Sequence, residues 1–310
     1  MKKLLVTLST LTLALGVAFA QDLTSVTDLY NTGAEAVSAG DKNGALNSFE
    51  QALSQAIALG EEGKDIVANC KSVIPTLKLS LAKDLVKETK YVEAIAALKD
   101  VQKLAEDYEA YDVSDEAEKL IPQVKMTNAG QLLNNKEYDA AAAAYKEIVD
   151  ADPTDGTAAL RLGVALNGAG KTDEAKAAFE RAAANGQSAT ANKQLGNIYL
   201  KDAAAQLKDK KYADAVTSAV KANEYAENAQ ALQIAGQASQ LAGKNNDAIK
   251  YFEQYLDAAP DASNAGSIAY TVGALYQQAK NNTKAKEFYN KAVNDPKYGA
   301  EAKKMLDALK

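Results

Sequence analysis

The sequence predicts an all-α fold, an α-solenoid in which pairs of helices stack one after another along the chain. Two observations favour helices throughout. Apolar residues recur at steps of three and four, and alanine is abundant, whereas proline occurs only five times and tryptophan not at all. A third observation predicts the stacking, because one set of small and aromatic residues returns every 33 to 49 residues.

The clearest unit lies within residues 157–185. Leu162-Gly163 is followed by Ala175, twelve residues after the glycine, and then by Phe179, four residues later. The same frame recurs with glycine or alanine in the first slot, alanine in the second, and an aromatic or smaller apolar residue in the third. The recurring sets are Gly33, Ala45 and Phe49; Ala82, Ala94 and Leu98; Ala129, Ala141 and Tyr145; Ala203, Ala215 and Ala219; Gly236, Ala248 and Phe252; and Gly273, Ala285 and Tyr289.

This frame resembles the tetratricopeptide repeat (TPR), which places Leu-Gly on a first helix and alanine followed by an aromatic residue on a second. The resemblance covers about 270 residues and implies a right-handed superhelix of about seven TPR-like helix pairs. A small first-slot residue lets the two helices approach closely, and we expect the aromatic ring to fill the gap toward the next pair. Residues 298–309 predict an amphipathic helix that caps the last repeat.

The first twenty residues have the pattern of a signal peptide. Lys2 and Lys3 precede an apolar run at 4–19, and Ala18-Phe19-Ala20 offers small residues at a cleavage site. We therefore predict a signal peptide at 1–20, a mature chain from Gln21, and a periplasmic or secreted protein. An uncleaved membrane anchor is the alternative, although this run is short of the roughly 20 residues that span a bilayer.

The intervals between first-slot residues predict the domain organisation of the mature chain. The first two intervals, 49 and 47 residues, exceed the roughly 34 residues of an undisturbed array, which indicates insertions. We predict an irregular N-terminal TPR-like region of two helix pairs at 21–124, with long or kinked helices near Pro75 and Pro122. A regular TPR array at 125–296 and a capping helix at 297–310 would follow.

Composition argues against several classes of function. The mature chain has 33 basic and 41 acidic residues, a net charge of −8, which disfavours binding to nucleic acid. Histidine is absent, so the commonest general base and the commonest metal ligand are both missing. The only cysteine, Cys70, is expected to be a small buried apolar residue. The chain is therefore not expected to be an enzyme.

Two short segments resemble ligand-binding loops only superficially. Segment 168–172, Gly-Ala-Gly-Lys-Thr, lacks the first glycine of a phosphate-binding loop because residue 165 is alanine. Segment 150–156 has three aspartates, but its glycine is one place late for a calcium loop and Arg161 stands where the closing glutamate belongs. We interpret both as turns and predict no catalytic residue, cofactor or metal site.

The resemblance implies that the inner faces of the first helices line a concave groove for a peptide or helix of a partner. Four glutamines spaced 3, 4 and 3 residues apart form one helical stripe on that face, although glutamine is also simply a good exposed helix former. Amides both donate and accept, so the groove could pair with the backbone of an extended segment. The predicted groove residues are Gln230, Gln233, Gln237, Gln240, Asn167, Asn197, Tyr270, Gln277 and Tyr30.

These observations predict an exported, non-catalytic scaffold that binds a protein or peptide of unknown identity. No stable membrane insertion is expected after signal cleavage, and the sequence leaves the oligomeric state open. The alternative is a structural subunit or assembly factor of an outer-membrane or envelope protein complex. The absence of a cysteine after the apolar run counts against a lipid anchor for such a subunit.

Overall fold

The computed structural model describes residues 23–309, which form fifteen α-helices and, within that range, no β-strand. The predicted all-α fold is confirmed, while the predicted signal peptide at 1–20 lies outside the described residues. The helices are α1 (Leu23–Ser38), α2 (Lys42–Ala58), α3 (Lys64–Lys87), α4 (Tyr91–Asp107), α5 (Tyr111–Asn134), α6 (Tyr138–Ala151), α7 (Gly156–Gly168), α8 (Thr172–Ala182), α9 (Ser188–Lys208), α10 (Tyr212–Tyr225), α11 (Ala229–Leu241), α12 (Asn245–Ala258), α13 (Ala265–Gln278), α14 (Asn282–Ala292) and α15 (Gly299–Ala308).

Fourteen of these helices form seven consecutive pairs, from α1 with α2 to α13 with α14, and α15 follows the last pair. Each pair contains one set of the recurring small and aromatic residues. A short 3-10 segment (Gly60–Gly63) and a π segment (Ala183–Gln187) interrupt the series. Pro75 and Pro122 lie inside α3 and α5, which at 24 residues each are the longest helices in the described range.

The chain divides into two compact units, one ending at Thr127 and the other beginning at Asn128. The N-terminal unit holds α1 to α4 and most of α5. In it, Phe49, Cys70 and Ile74 belong to one buried cluster, and Leu98 and Val101 belong to a second. The predicted division into an irregular and a regular array after residue 124 stays a prediction.

The C-terminal unit holds the end of α5 and the helices α6 to α15. One cluster of buried residues joins α11 to α14 around Phe252, Tyr255, Phe288 and Tyr289, and Ala302 of α15 also belongs to it. Met305 and Leu306 of α15 pack against the same cluster while half-buried, so this terminal helix covers apolar surface of the last pair.

The third-slot aromatic ring lies over the glycine of its own pair. A Cβ atom added to Gly163 would lie 2.6 Å from the ring of Phe179, and one added to Gly236 would lie 2.5 Å from the ring of Phe252. The same holds for Gly33 with Phe49, at 2.9 Å, and for Gly273 with Tyr289, at 2.7 Å. The missing glycine side chain thus leaves the space that the ring occupies, while the expectation that the ring also fills the gap toward the next pair stays a prediction.

The two helices of every pair are joined by the same type of turn. The first helix ends in a Schellman motif, in which a residue with positive φ donates its N–H to the carbonyl three residues back. The following N–H donates to the carbonyl five residues back, as Lys90 does to Leu85 at 2.9 Å. The residues with φ between 59° and 81° in these turns are Gly40, Thr89, Lys136, Gly170, Lys210, Gly243 and Lys280.

Only three of these seven turn residues are glycine, so the other four adopt a backbone conformation that is unfavourable for residues with a Cβ. Thr89 is the extreme case, because a β-branched side chain fits the left-handed region worst. The turn at Thr89 is nevertheless closed by hydrogen bonds of 3.0 and 2.9 Å. The hydrogen bonds of the motif offset the local backbone cost.

Replacing the strained turn residue should stabilise the N-terminal unit. We expect Thr89→Gly to raise the free energy of unfolding by about 1 kcal/mol. The energy needed to hold a non-glycine residue in the left-handed region exceeds the stability lost because glycine increases the entropy of the unfolded chain. Urea unfolding followed by circular dichroism measures this change.

The matched control is Thr76→Gly, which places the same substitution at an exposed position inside the same helix, α3. There, glycine should lower the stability by a few tenths of a kcal/mol, roughly the difference in helix propensity. Equal destabilisation by both substitutions would contradict the role assigned to the turn.

Candidate functional site

The surface of α11 carries an uncharged row of glutamines. Gln230 and Gln240 are exposed, whereas Gln233 and Gln237 are half-buried. The whole stretch 228–243 contains no charged residue, although a quarter of the chain is charged. The side chains of the four α11 glutamines make no hydrogen bond to any of residues 23–309. Gln277 on α13, by contrast, has an intramolecular partner.

The ends and the buried face of α11 hold this row in place. The Asn228 side chain caps the helix by accepting the N–H of Ala231 at 3.2 Å. At the other end, Gly243 closes the Schellman turn. Gly236 faces the ring of Phe252, which fixes α11 against the partner helix α12.

The other predicted groove residues fall into two groups. Asn167 on α7 and Asn197 on α9 are exposed. Tyr270 on α13 instead stacks on Tyr298, with ring centroids 4.9 Å apart. The amide oxygen of Gln277 accepts the hydroxyl of Tyr289 at 2.7 Å, so both α13 residues already have intramolecular contacts.

Tyr30 belongs to the N-terminal unit, where its ring meets Phe49 edge-on at 5.1 Å. The remaining eight residues lie on first helices of the C-terminal unit. The nine-residue groove stays a prediction, with the α11 glutamines as its least engaged part.

Sequence reasoning missed a second concave feature, a groove between α6 and α8 with α7 beneath it. Leu162 and Leu166 of α7 line it, and its volume is about 440 Å³. None of the nine predicted groove residues lines it. Two features could have indicated this groove. Small residues are exposed on two second helices, at Ala143 and Ala177, and one of the two arginines in the chain, Arg181, lies beside them.

A tyrosine stack joins α9 and α10, one of the two pairs without a third-slot aromatic residue, and contacts α8 of the preceding pair. The rings of Tyr199 on α9 and Tyr225 on α10 are nearly parallel, with centroids 5.6 Å apart. Lys176 of α8 lies 4.7 Å from the Tyr199 ring and pairs with Asp202 at 2.7 Å, and the Tyr225 hydroxyl donates to Glu180 at 3.1 Å.

The acid–base properties of this cluster are those of a structural network. Burial raises the pKa of Tyr225, and the neighbouring Glu180 adds to the effect. Burial acts to lower the pKa of Lys176, but the hydrogen bond and charge of Asp202, together with the nearby Tyr199 and Asp173, outweigh burial and raise it. Tyr225 therefore stays neutral and Lys176 stays charged around neutral pH, so neither is prepared for proton transfer.

Candidate chemical groups elsewhere are few. In the described range, no three or more His, Cys, Asp or Glu side chains converge on a position that could hold a metal ion. None of the described helices combines the length and apolar character that crossing a membrane requires. Cys70 on α3 is fully buried, and burial raises the pKa of its thiol to about 11.

Comparison with known families identifies the repeat. Family models described as tetratricopeptide repeat match residues 132–195, 229–262 and 267–294. The chain contains tetratricopeptide repeats. The matches include the TPR pairs α7 with α8, α11 with α12 and α13 with α14, and they leave most of the α9 and α10 pair unmatched. TPR arrays are scaffolds for protein–protein interaction, and the TPR solenoid predicted from the recurring frame is confirmed.

Solved structures with similarity to the chain are also TPR proteins. YrrB, a TPR protein with an unusual peptide-binding site, is 23% identical, covers 58% of this chain and 91% of its own, and gives a TM-score of 0.33. A MamA structure from Desulfovibrio magneticus RS-1 is 17% identical, with 60% and 97% covered and a TM-score of 0.33. PilF of Pseudomonas aeruginosa is 16% identical, with 61% and 88% covered and a TM-score of 0.29.

At TM-scores below 0.5, these similarities transfer no function to this chain. No curated protein matches the chain significantly.

The buried thiol yields a prediction about reactivity. At pH 8, a thiol with a pKa of about 11 is thiolate to roughly one part in a thousand, so native Cys70 should react with a disulfide reagent at least about a hundredfold more slowly than a free cysteine. Stopped-flow labelling with and without urea measures the ratio. Labelling of the native protein at the free-cysteine rate would contradict the burial of α3 against α2.

Proposed function

We propose that the chain is an exported, non-catalytic scaffold that binds a segment of a partner polypeptide along the first helices of its C-terminal unit. The observation that carries the proposal is the row of four unengaged amides on α11, within a stretch that contains no charge. Export rests on the leader pattern in the sequence, with a periplasmic or secreted location.

The row has suitable dimensions for an extended peptide. Gln230 and Gln240 are ten residues apart, which corresponds to about 15 Å along an α-helix. A strand advances about 3.3 Å per residue, so the four amides span roughly four to five residues of an extended partner. Each amide offers both a donor and an acceptor to the partner's backbone groups.

The lack of charge along α11 also predicts how the partner is recognised. Neutral hydrogen bonds depend weakly on ionic strength, whereas steering by surface charges is screened within about 8 Å at physiological salt. Gln233 and Gln237 are half-buried, so water competes with a bound backbone less effectively there than at a fully exposed amide. The inner two glutamines should therefore contribute most to affinity.

Several features support a scaffold without catalysis. The chain has no histidine, and its only thiol is buried and protonated. Carboxylates near the pairs' turns form ion pairs with lysines, as Asp139 does with Lys171 at 2.7 Å. Hydrogen bonds from Lys42 and Lys87 lower the pKa of Asp84, which makes that carboxyl group a poor general acid at neutral pH.

The test is affinity capture. The chain beginning at residue 21 is used to retain proteins from an extract of the envelope fraction, and the bound protein is then identified. The variant Gln233→Glu with Gln237→Glu should weaken retention of that protein by roughly tenfold, because a carboxylate removes two donors from the row and repels backbone carbonyls.

The matched control is Gln51→Glu with Gln254→Glu, which adds the same charge at exposed positions on the second helices α2 and α12. Equal retention by both double variants and the unchanged chain would reject the α11 surface. An uncleaved N-terminus on the protein isolated from cells would reject the exported form.

A further inference from the structure

The groove between α6 and α8 has an apolar base and small-residue walls. Leu162 and Leu166 form its base one helical turn apart, and Ala143 and Ala177 are exposed on the two walls. Its volume of about 440 Å³ is within the range of ligand sites. Because alanine side chains are short, the backbone of a third helix could approach both walls closely.

The charges on its rim are of two kinds. Two ion pairs neutralise four of them, Lys171 with Asp139 at 2.7 Å and Lys146 with Asp150 at 2.6 Å. The remaining two rim charges, Glu174 and Arg181, have no ion-pair partner within 4 Å among residues 23–309.

Arg181 differs in kind from the other cations of the chain. All but two of the 35 basic residues are lysines, and the second arginine, Arg161, lies on α7 outside the residues that line the groove. A guanidinium can hold a carboxylate with two parallel hydrogen bonds, which an ammonium cannot. The exposed Arg181 is therefore the best anion-binding group on this rim.

The spacing of the two unpaired charges defines a complementary partner. Glu174 and Arg181 both lie on α8 and are seven residues apart, about 10.5 Å along the helix axis. An α-helix lying along α8 presents side chains with the same spacing when they are seven residues, or two turns, apart. Apolar side chains between them would face Leu162 and Leu166.

We propose that the α6–α8 groove is a second docking surface that binds an amphipathic helix of another protein. That helix carries an apolar stripe, a side-chain carboxylate opposite Arg181, and a basic side chain two turns away opposite Glu174. The inference rests on the proposed function only in that the ligand is a polypeptide, because the groove uses second helices whereas the glutamine row lies on a first helix.

Synthetic helical peptides test this directly. All peptides share one leucine and alanine stripe and have blocked termini, and their two flanking positions, seven residues apart, carry glutamate and lysine, two glutamines, or two lysines. Fluorescence anisotropy measures their dissociation constants. The unchanged protein should bind the glutamate–lysine peptide about tenfold more tightly than the glutamine peptide, or about 1.4 kcal/mol.

Charge exchange supplies the decisive variant. Arg181→Glu should weaken binding of the glutamate–lysine peptide by about tenfold. The same variant should bind the two-lysine peptide more tightly than the unchanged protein does. Arg161→Glu is the matched control, since it makes the same substitution outside the groove. Ala177→Trp places a large side chain in the groove and should weaken the binding of every peptide. Ala213→Trp, at an exposed position on α10, should leave peptide binding unchanged.

Thermal melts by circular dichroism exclude variants that fail to fold, and Arg181→Lys then reports the loss of the two parallel hydrogen bonds alone. The proposal is overturned if no peptide binds below about 1 mM, if the glutamate–lysine and glutamine peptides bind equally, or if the two arginine variants behave alike. Peptide binding that persists in the Gln233→Glu, Gln237→Glu variant separates this groove from the α11 surface.

Discussion

The close contact between a first-helix glycine and a second-helix aromatic ring is the constraint on which the repeat depends. In four pairs, a single added carbon on the glycine would lie between 2.5 and 2.9 Å from a ring atom, which is too close for any real Cβ. The rings of Phe49, Phe179, Phe252 and Tyr289 are at most 2% exposed. The pair can thus close only in the register that brings glycine and ring together.

The same first helix also carries polar side chains that remain accessible. On α11, Gly236 faces Phe252, while Gln233 and Gln237 are half-buried and Gln230 and Gln240 are exposed. In the pair of α9 and α10, the first and third slots are Ala203 and Ala219, which are both fully buried but leave no ring in the interface. There, the stack of Tyr199 on Tyr225 adds aromatic contact outside the repeated frame.

The sequence predicts those parts of the structure that depend on local spacing. The helix pairs follow from small and aromatic residues at fixed intervals within about twenty residues, and the capping helix follows from the amphipathic pattern of residues 298–309. The close contact of the ring with the glycine of its own pair was not predicted, because sequence spacing does not show how closely two side chains approach. The left-handed turn residues Lys136, Lys210 and Lys280 were not foreseen, since a lysine carries no signal for positive φ. The α6–α8 groove was missed because its walls belong to two different repeats and are separated in the chain by the whole of α7.

The most direct test of the central contact is a double-mutant cycle on Gly236 and Phe252, with Gly236→Ala and Phe252→Leu measured singly and together by urea unfolding. The added methyl alone should cost about 1–3 kcal/mol through overpacking, and the smaller leucine should make room for it. The account predicts that the double variant loses less stability than the sum of the two single losses, by at least about 1 kcal/mol. Losses that add within about 0.5 kcal/mol would show that the glycine and the ring do not constrain each other.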